Sequence, residues 1–256
     1  MEGAINILNF DQVYQNQKSW QSNKCEWINL LDLKSVNGYC SSGSLRVIDK
    51  KLRKRHNKDI TLIGSGNYHY VTYLLLAERK SPFSLVLFDN HTEMMPPPCK
   101  SLVSCGSWVL NSLKHLPLLK KVVIIGARAD LAAVIPRKFN SKVAVFSTLN
   151  WQATLANEIL NAIPTQDIYI SIDKDVLNKS EAITNWDQGS MKLADLLVLL
   201  KFLGRYKKVY GLDICGELPT SPVDFFKKKV VKANRINEKA NCRILEVVKR
   251  DYREGC

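Results

Sequence analysis

Two short clusters of acids and imidazole hold the residues best suited to chemistry: Asp89-Asn90-His91-Thr92-Glu93 and Asp173-Lys174-Asp175. In an extended segment, residues two apart point the same way, so Asp89, His91 and Glu93 would share one side, as would Asp173 and Asp175. Carboxylates held that close repel and are costly to desolvate unless a cation neutralises them, and a divalent metal is the natural cation. Oxygen and imidazole donors without thiolates suit Mn²⁺, with Zn²⁺, Fe²⁺ or Co²⁺ as alternatives. Taken singly, each acid is as much a turn former or helix cap, and His69 alone is as much a core histidine. Found together in one chain, D-x-H-x-E and D-x-D point to a metal site.

The elements that must position these residues are legible as short apolar runs alternating with helical periodicity, the pattern of a mainly parallel sheet covered by helices on both faces. Ala4–Phe10, Thr61–Ile63, Phe83–Phe88, Lys121–Ile125, Lys142–Phe146, Asp167–Ile172 and Lys208–Leu212 read as strands, most of them rich in Val, Ile and aromatics as strands buried on both faces are. Helices are predicted near Ser44–Arg55, over Tyr68–Glu78, Trp108–His115 and Trp151–Ala162, through Leu193, Leu196, Leu197 and Leu200, and in a basic final segment with Ala240, Ile244, Val247 and Val248 on its apolar face. Three of the strands run directly into acids: Phe88 into Asp89, Ile172 into Asp173, and Leu212 into Asp213. The carboxyl ends of strands in an open parallel sheet form its binding crevice, so these acids would converge there.

Composition narrows the class. With 256 residues, 46% of them hydrophobic and 24% charged, and no low-complexity linker, residues 1–256 read as one α/β domain. No apolar stretch is long enough to span a bilayer, and MEGAINILNFDQ has neither the basic start nor the apolar core of a secretory signal, so a cytoplasmic location without membrane association is expected. The seven cysteines, Cys25, Cys40, Cys99, Cys105, Cys215, Cys242 and Cys256, form no C-x-x-C pair and read as reduced thiols. The net charge of +13 is concentrated in Lys50–Lys58 and Lys227–Arg253, which read as solvated helix faces. Without an aromatic platform or a recognition motif, that charge argues for solubility and weak association, not specific nucleic-acid binding.

The motif order Gly64-Ser65-Gly66-Asn67-Tyr68-His69, then Asp89-Asn90-His91-Thr92-Glu93, then Ser171-Ile172-Asp173-Lys174-Asp175 resembles the G-G-D-H, D-A-H-x-D and S-x-D-x-D motifs of the ureohydrolase (arginase/agmatinase) superfamily, over about Thr61 to Pro219. The resemblance implies an arginase/deacetylase-like three-layer α/β/α fold, often built into homo-oligomers, with two Mn²⁺ ions at the strand ends. By matched position, His69 and Glu93 would hold one ion, His91 and Asp175 the other, and Asp89 and Asp173 would bridge. A hydroxide shared by the ions would attack the carbon of a guanidino, amidino or related amide group.

The sequence departs from the family pattern in four places. Glu93 replaces an aspartate. Cys105-Gly106 stands where arginases place a proton-transferring His-Gly pair, which makes Cys105 a catalytic candidate beside Asp175; as a small packing residue it is equally well explained. The substrate loop reads Thr184 to Met191, whose Trp186, Asp187 and Gln188 could stack on, charge-pair with and hydrogen-bond to a small cationic substrate; Asp187 or Ser190 could instead begin the next helix. Glu217, after Asp213, resembles the acid that receives a guanidinium, with one extra residue before it. Other readings on the same fold are a single-metal deacetylase-like hydrolase and a non-catalytic ligand-binding protein.

Overall fold

Strands β1 (Ile5–Asn9), β2 (Cys25–Asn29), β4 (Ile60–Leu62), β5 (Phe83–Phe88), β7 (Leu119–Ile125), β8 (Val143–Phe146), β9 (Asp167–Asp173) and β10 (Lys208–Cys215) form an eight-stranded sheet in the order β2-β1-β4-β10-β9-β5-β7-β8. Every pairing in it is parallel. The structure, a computed structural model, describes residues 5–21, 25–56, 59–97, 99, 101–147 and 153–251. Ala4, Lys58, Trp151, Arg253 and Cys256, which bound or belong to segments read from the sequence, lie outside the described residues.

Alternation divides the strand side chains between two cores. Val86, Phe88, Val123, Ile125, Ile168, Ile170 and Ile172 face one side, where they pack with residues of α4 (Ala153–Asn161), α5 (Leu193–Tyr206) and α6 (Lys228–Asp251). Leu85, Leu87, Val122, Ile124 and Tyr169 face the other, where α1 (Ser42–Leu52), α2 (Thr72–Ala77) and α3 (Trp108–His115) cover them. The result is the three-layer α/β/α architecture expected from the alternating pattern. The stripe on α5 explains that helix's place: Leu196, Leu199, Leu200 and Leu203 are all buried, and each stabilises the fold by roughly 1.5–3 kcal/mol relative to exposure.

Three strands were not read from the sequence. Edge strand β2 is only half-buried and carries a weak alternation, while β3 (Tyr39–Ser41) and β6 (Leu102–Ser104) are three-residue strands paired antiparallel to each other, apart from the main sheet. Tyr68–Glu78 also divides differently: residues Gly66–Val71 form a 3-10 helix, and the α-helix starts at Thr72. Among the described residues, no helix is long and apolar enough to cross a membrane.

Strand order is what gathers the functional groups. From β4 the chain crosses to β5, leaving two places between them that β10 and β9 later fill. The carboxyl ends of β4, β10, β9 and β5 therefore lie side by side at the centre of the sheet, where a crevice forms.

Candidate metal centre

Asp89 follows the last residue of β5, and Asp173 is the last residue of the neighbouring β9. The two acids are brought together by the register that pairs Phe88 with Ile172. His69 arrives from the 3-10 helix after β4, and Cys215, the last residue of β10, is paired in register with Asp173. All these side chains except His91 are essentially buried; Glu93 is 9% exposed as a residue, and the His91 side chain 24%.

The convergence arises from turns and not from continued extension. Asp173 caps a 3-10 turn over Lys174–Val176, its Oδ1 accepting the Asp175 N–H at 2.9 Å, and that turn swings Asp175 back beside it. Asp89 Oδ1 likewise accepts the His91 N–H at 2.7 Å, and Glu93 adopts a left-handed backbone (φ 55°). A glutamate rarely occupies that conformation, and the strain places its carboxylate against the cluster. The expected alternation over Asp89–Glu93 and Asp173–Asp175 is thus replaced by side-chain-capped turns, with the same residues brought together.

Two triads result: His69, Asp89 and Glu93 form one, and Asp89, His91 and Asp175 the other, with the candidate ligand atoms of each lying within 4.8 Å of one another. Asp89 belongs to both. His91 Nδ1 is 2.9 Å from Asp175 Oδ2 and 3.4 Å from Asp89 Oδ1, while His69 Nδ1 is 3.3 Å from Asp89 Oδ2 and 3.6 Å from Asp173 Oδ2. A third group, His69, Asp173 and Cys215, includes a thiol that the sequence reading left out, although its place before Gly216 at a strand end was a usable signal. Cys215 donates to Asp173 Oδ2 at 3.2 Å.

Three buried atoms of the first triad, His69 Nδ1, Asp89 Oδ2 and Glu93 Oε2, have no hydrogen-bond partner. Buried polar atoms without partners are costly, and three that converge fit a bound cation. The tautomer of His69 fits as well. Ser171 Oγ donates to Asp213 Oδ1 at 2.7 Å, so it accepts from His69 Nε2–H at 2.9 Å, which leaves Nδ1 facing the cluster as the nitrogen that a metal would take once its proton is displaced. Space is tight here: a Cβ on Gly66 would come within 2.7 Å of Asp173 Oδ2 and 2.9 Å of the Trp186 ring.

Without a metal the cluster stores protons. Burial opposes a charged His69, but Asp89, Asp173 and Glu93 outweigh it and raise the imidazole to about 9; His91, facing Asp175 and Asp89, is raised against burial to about 12. Burial and neighbouring acids push Glu93 and Asp175 well above the usual carboxylate range, whereas the two imidazoles hold Asp89 below it despite its burial. Metal must displace these protons. Loading at pH 7 is therefore expected to release at least about one proton per ion, and affinity to weaken as pH falls, because both raised histidines are protonated below their folded pKa values. Titration calorimetry with Mn²⁺ in two buffers of different ionisation enthalpy measures the release directly; a buffer-independent heat would contradict it.

The remaining sequence candidates divide. Trp186 and Cys105 line a cavity of about 190 Å³ above the cluster, with Asp173, Asp175, His91 and Glu93 at its base. Burial, then the Glu93 carboxylate, push the Cys105 thiol up to about 12. Asp187, Gln188 and Glu217 do not line this cavity. Asp187 is exposed and 3.7 Å from Arg128, and Gln188 Nε2 donates to the Leu177 and Ala182 carbonyls, tying the loop together. Neither Asp187 nor Ser190 starts α5: the helix begins at Leu193, whose N–H is capped by Glu181 Oε2 at 2.9 Å. Glu217 is 1% exposed, ion-paired with the buried Lys174, and accepts from Gln17 Nε2 at 2.9 Å and Asn241 Nδ2 at 2.8 Å. Glu217 and the lysine between the two aspartates thus form one buried ion pair.

The family model described as the arginase family matches residues 3–223. An uncharacterized protein of Thermotoga maritima is 31% identical over 244 residues, 95% of this chain and 89% of its own length. Among solved structures, proclavaminate amidino hydrolase from Streptomyces clavuligerus superposes with a TM-score of 0.69 at 17% identity, covering 98% of this chain and 93% of that one. Formimidoylglutamase from Bacillus subtilis gives 0.67 at 16% identity, covering 98% and 88%. Agmatine ureohydrolase of Thermoplasma volcanium gives 0.67 at 14% identity, covering 99% and 92%.

Proposed function

The chain belongs to the arginase family, and from that premise we propose that it is a metal-dependent hydrolase that cleaves a C–N bond of a guanidino, amidino or related amide compound. The observation that carries this reading is the convergence of three buried atoms that make no hydrogen bond, on His69, Asp89 and Glu93, beside a second triad that shares Asp89. His69 and Glu93 would hold one ion and His91 and Asp175 the other, with Asp89 and Asp173 between them. Mn²⁺ suits these hard and borderline donors, and Zn²⁺, Fe²⁺ or Co²⁺ are the alternatives. Such ions, when bound, lower the pKa of water towards neutrality and polarise the carbon to be attacked.

The protein's own groups supply orientation and proton handling. Asp213 and Ser171 fix the His69 ring, and the Asn90 N–H holds Asp175 Oδ1 at 3.0 Å. Asp175 Oδ2 and His91 Nδ1, 2.9 Å apart beside the cavity, would give up the proton they share when they take an ion, and would then serve as ligands. Trp186, 41% exposed at the mouth, limits water entry and offers a flat surface to the substrate. Its indole is held by the Nε1–H bond to Asn67 Oδ1 at 3.0 Å.

Cys105 has a smaller part in this scheme. A thiol held up at about 12 stays neutral at pH 7. Cys105→Ser is expected to leave kcat within about threefold, since a neutral thiol and a hydroxyl act alike as small packing groups. A loss of a hundredfold would restore the proton-transfer role.

Location in a reducing cytoplasm and assembly into homo-oligomers complete the proposal; all six cysteines among the described residues are free. Elemental analysis of protein purified with Mn²⁺ tests the centre, with about two ions per chain expected. One ion would favour deacetylase-like amide hydrolysis, and a folded, metal-free chain would make the protein a ligand-binding one. Release of urea, amine or ammonia from a panel of guanidino and amidino compounds then tests the reaction.

A further inference from the structure

The cavity above the ligand candidates constrains what can enter it. Apart from the acids and His91, its described walls are Thr92, Met95, Cys105, Leu131 and Trp186, with glycines 66 and 106. None of these is charged. Met95 and Trp186 stand at the rim, 53% and 41% exposed, and Leu131 is half-buried beside them.

The other acids read from the sequence as meeting a cationic tail do not line this cavity. Both Glu217 oxygens are committed, to Lys174 and Asn241 on one side and Gln17 on the other. Asp187 lines a neighbouring cleft with Arg128, where its side chain is exposed. Among the described walls, a charged tail would meet no counter-charge beyond the ligand acids, whereas an alkyl or aryl tail would bury apolar surface against Met95, Leu131 and the Trp186 ring.

We infer that the non-reacting part of the substrate is uncharged and apolar, as in an alkyl- or aryl-substituted guanidine, amidine or amide, and carries neither an ammonium nor a carboxylate. This deepens the hydrolase reading and rests on it.

Butylguanidine and agmatine make the critical pair, since they share a guanidinium and a four-carbon chain and differ by a terminal ammonium; arginine adds a carboxylate. Each is titrated calorimetrically into Mn²⁺-loaded protein, and the products are analysed afterwards. Butylguanidine is expected to bind about tenfold tighter than agmatine or arginine, equivalent to about 1.4 kcal/mol. Met95→Glu, a change at an exposed rim position, should reverse the order by favouring agmatine. Equal or tighter binding of agmatine or arginine to the wild-type protein overturns the inference, as does an unchanged order in Met95→Glu. The binding order is read independently of turnover. Preferential binding of butylguanidine without any hydrolysis would count against the hydrolase reading alone, and hydrolysis of agmatine with equal affinity against the tail preference alone.

Discussion

Asp89→Ala is expected to strip both ions from the chain and lower kcat/KM by about 10³-fold or more, roughly 4 kcal/mol of transition-state stabilisation. The reason is geometric: Asp89 is the one residue common to both main triads, one oxygen lying near His69 and the other near His91. Removing it takes one ligand from each triad and leaves Asp173 as the only acid proposed to lie between the ions. Glu93→Ala is the contrasting variant, because Glu93 belongs to the first triad only; it should lose one ion and keep the other. Metal content by elemental analysis, with far-UV circular dichroism to verify the fold, separates the two cases. Two ions per chain in folded Asp89→Ala would remove the shared-ligand arrangement altogether.

Lys174→Met carries the largest expected effect on stability, a loss of about 3–5 kcal/mol. Lys174 is fully buried and its only ionic partner among the described residues is Glu217. Without the ammonium, Glu217 stays buried, supported by the amides of Gln17 and Asn241 alone. A chain of this size would lose about 10 °C in Tm. Adding Glu217→Gln removes the stranded charge, so the double variant should recover most of the loss, and thermal melts of the two single variants and the double one measure the coupling. A loss below about 1 kcal/mol in Lys174→Met would mean that the pair contributes little. If the double variant still binds metal, the pair supports the floor of the site without serving as a ligand.

The same pair marks where sequence reasoning stops. Strands such as β5 and β9 are legible because continuous apolar runs between polar segments have few alternatives to burial on both faces. Their ends locate the acids, so most of the cluster can be read from Asp89 and Asp173 outward. How Asp175 and Glu93 turn inward cannot: a side-chain-capped 3-10 turn and a left-handed glutamate depend on hydrogen bonds and contacts with other segments, not on local periodicity. Glu217 looked like a free acid because its partner lies 43 positions earlier, and Gln17 comes from still further away. Cys215 was discounted as one reduced thiol among seven until pairing of β10 with β9 set it beside Asp173. Edge strand β2, with four of its five residues only partly buried or exposed on either side of Ile28, lacks the continuous run that announced the central strands.

The order in which strands fill the sheet also has a consequence for biosynthesis. A ribosome delivers β4 and β5 long before β9 and β10, yet these later strands occupy the two places between them. A nascent chain that has emerged only as far as β8 holds two strand groups with unpaired inner edges, and such edges are sites for mispairing. Asp173, Asp175 and Cys215 arrive with the missing strands, so the ligand set is incomplete until the middle of the sheet closes. Metal capture by the full ligand set must therefore follow synthesis of β10, and the two inner edges stay open until then.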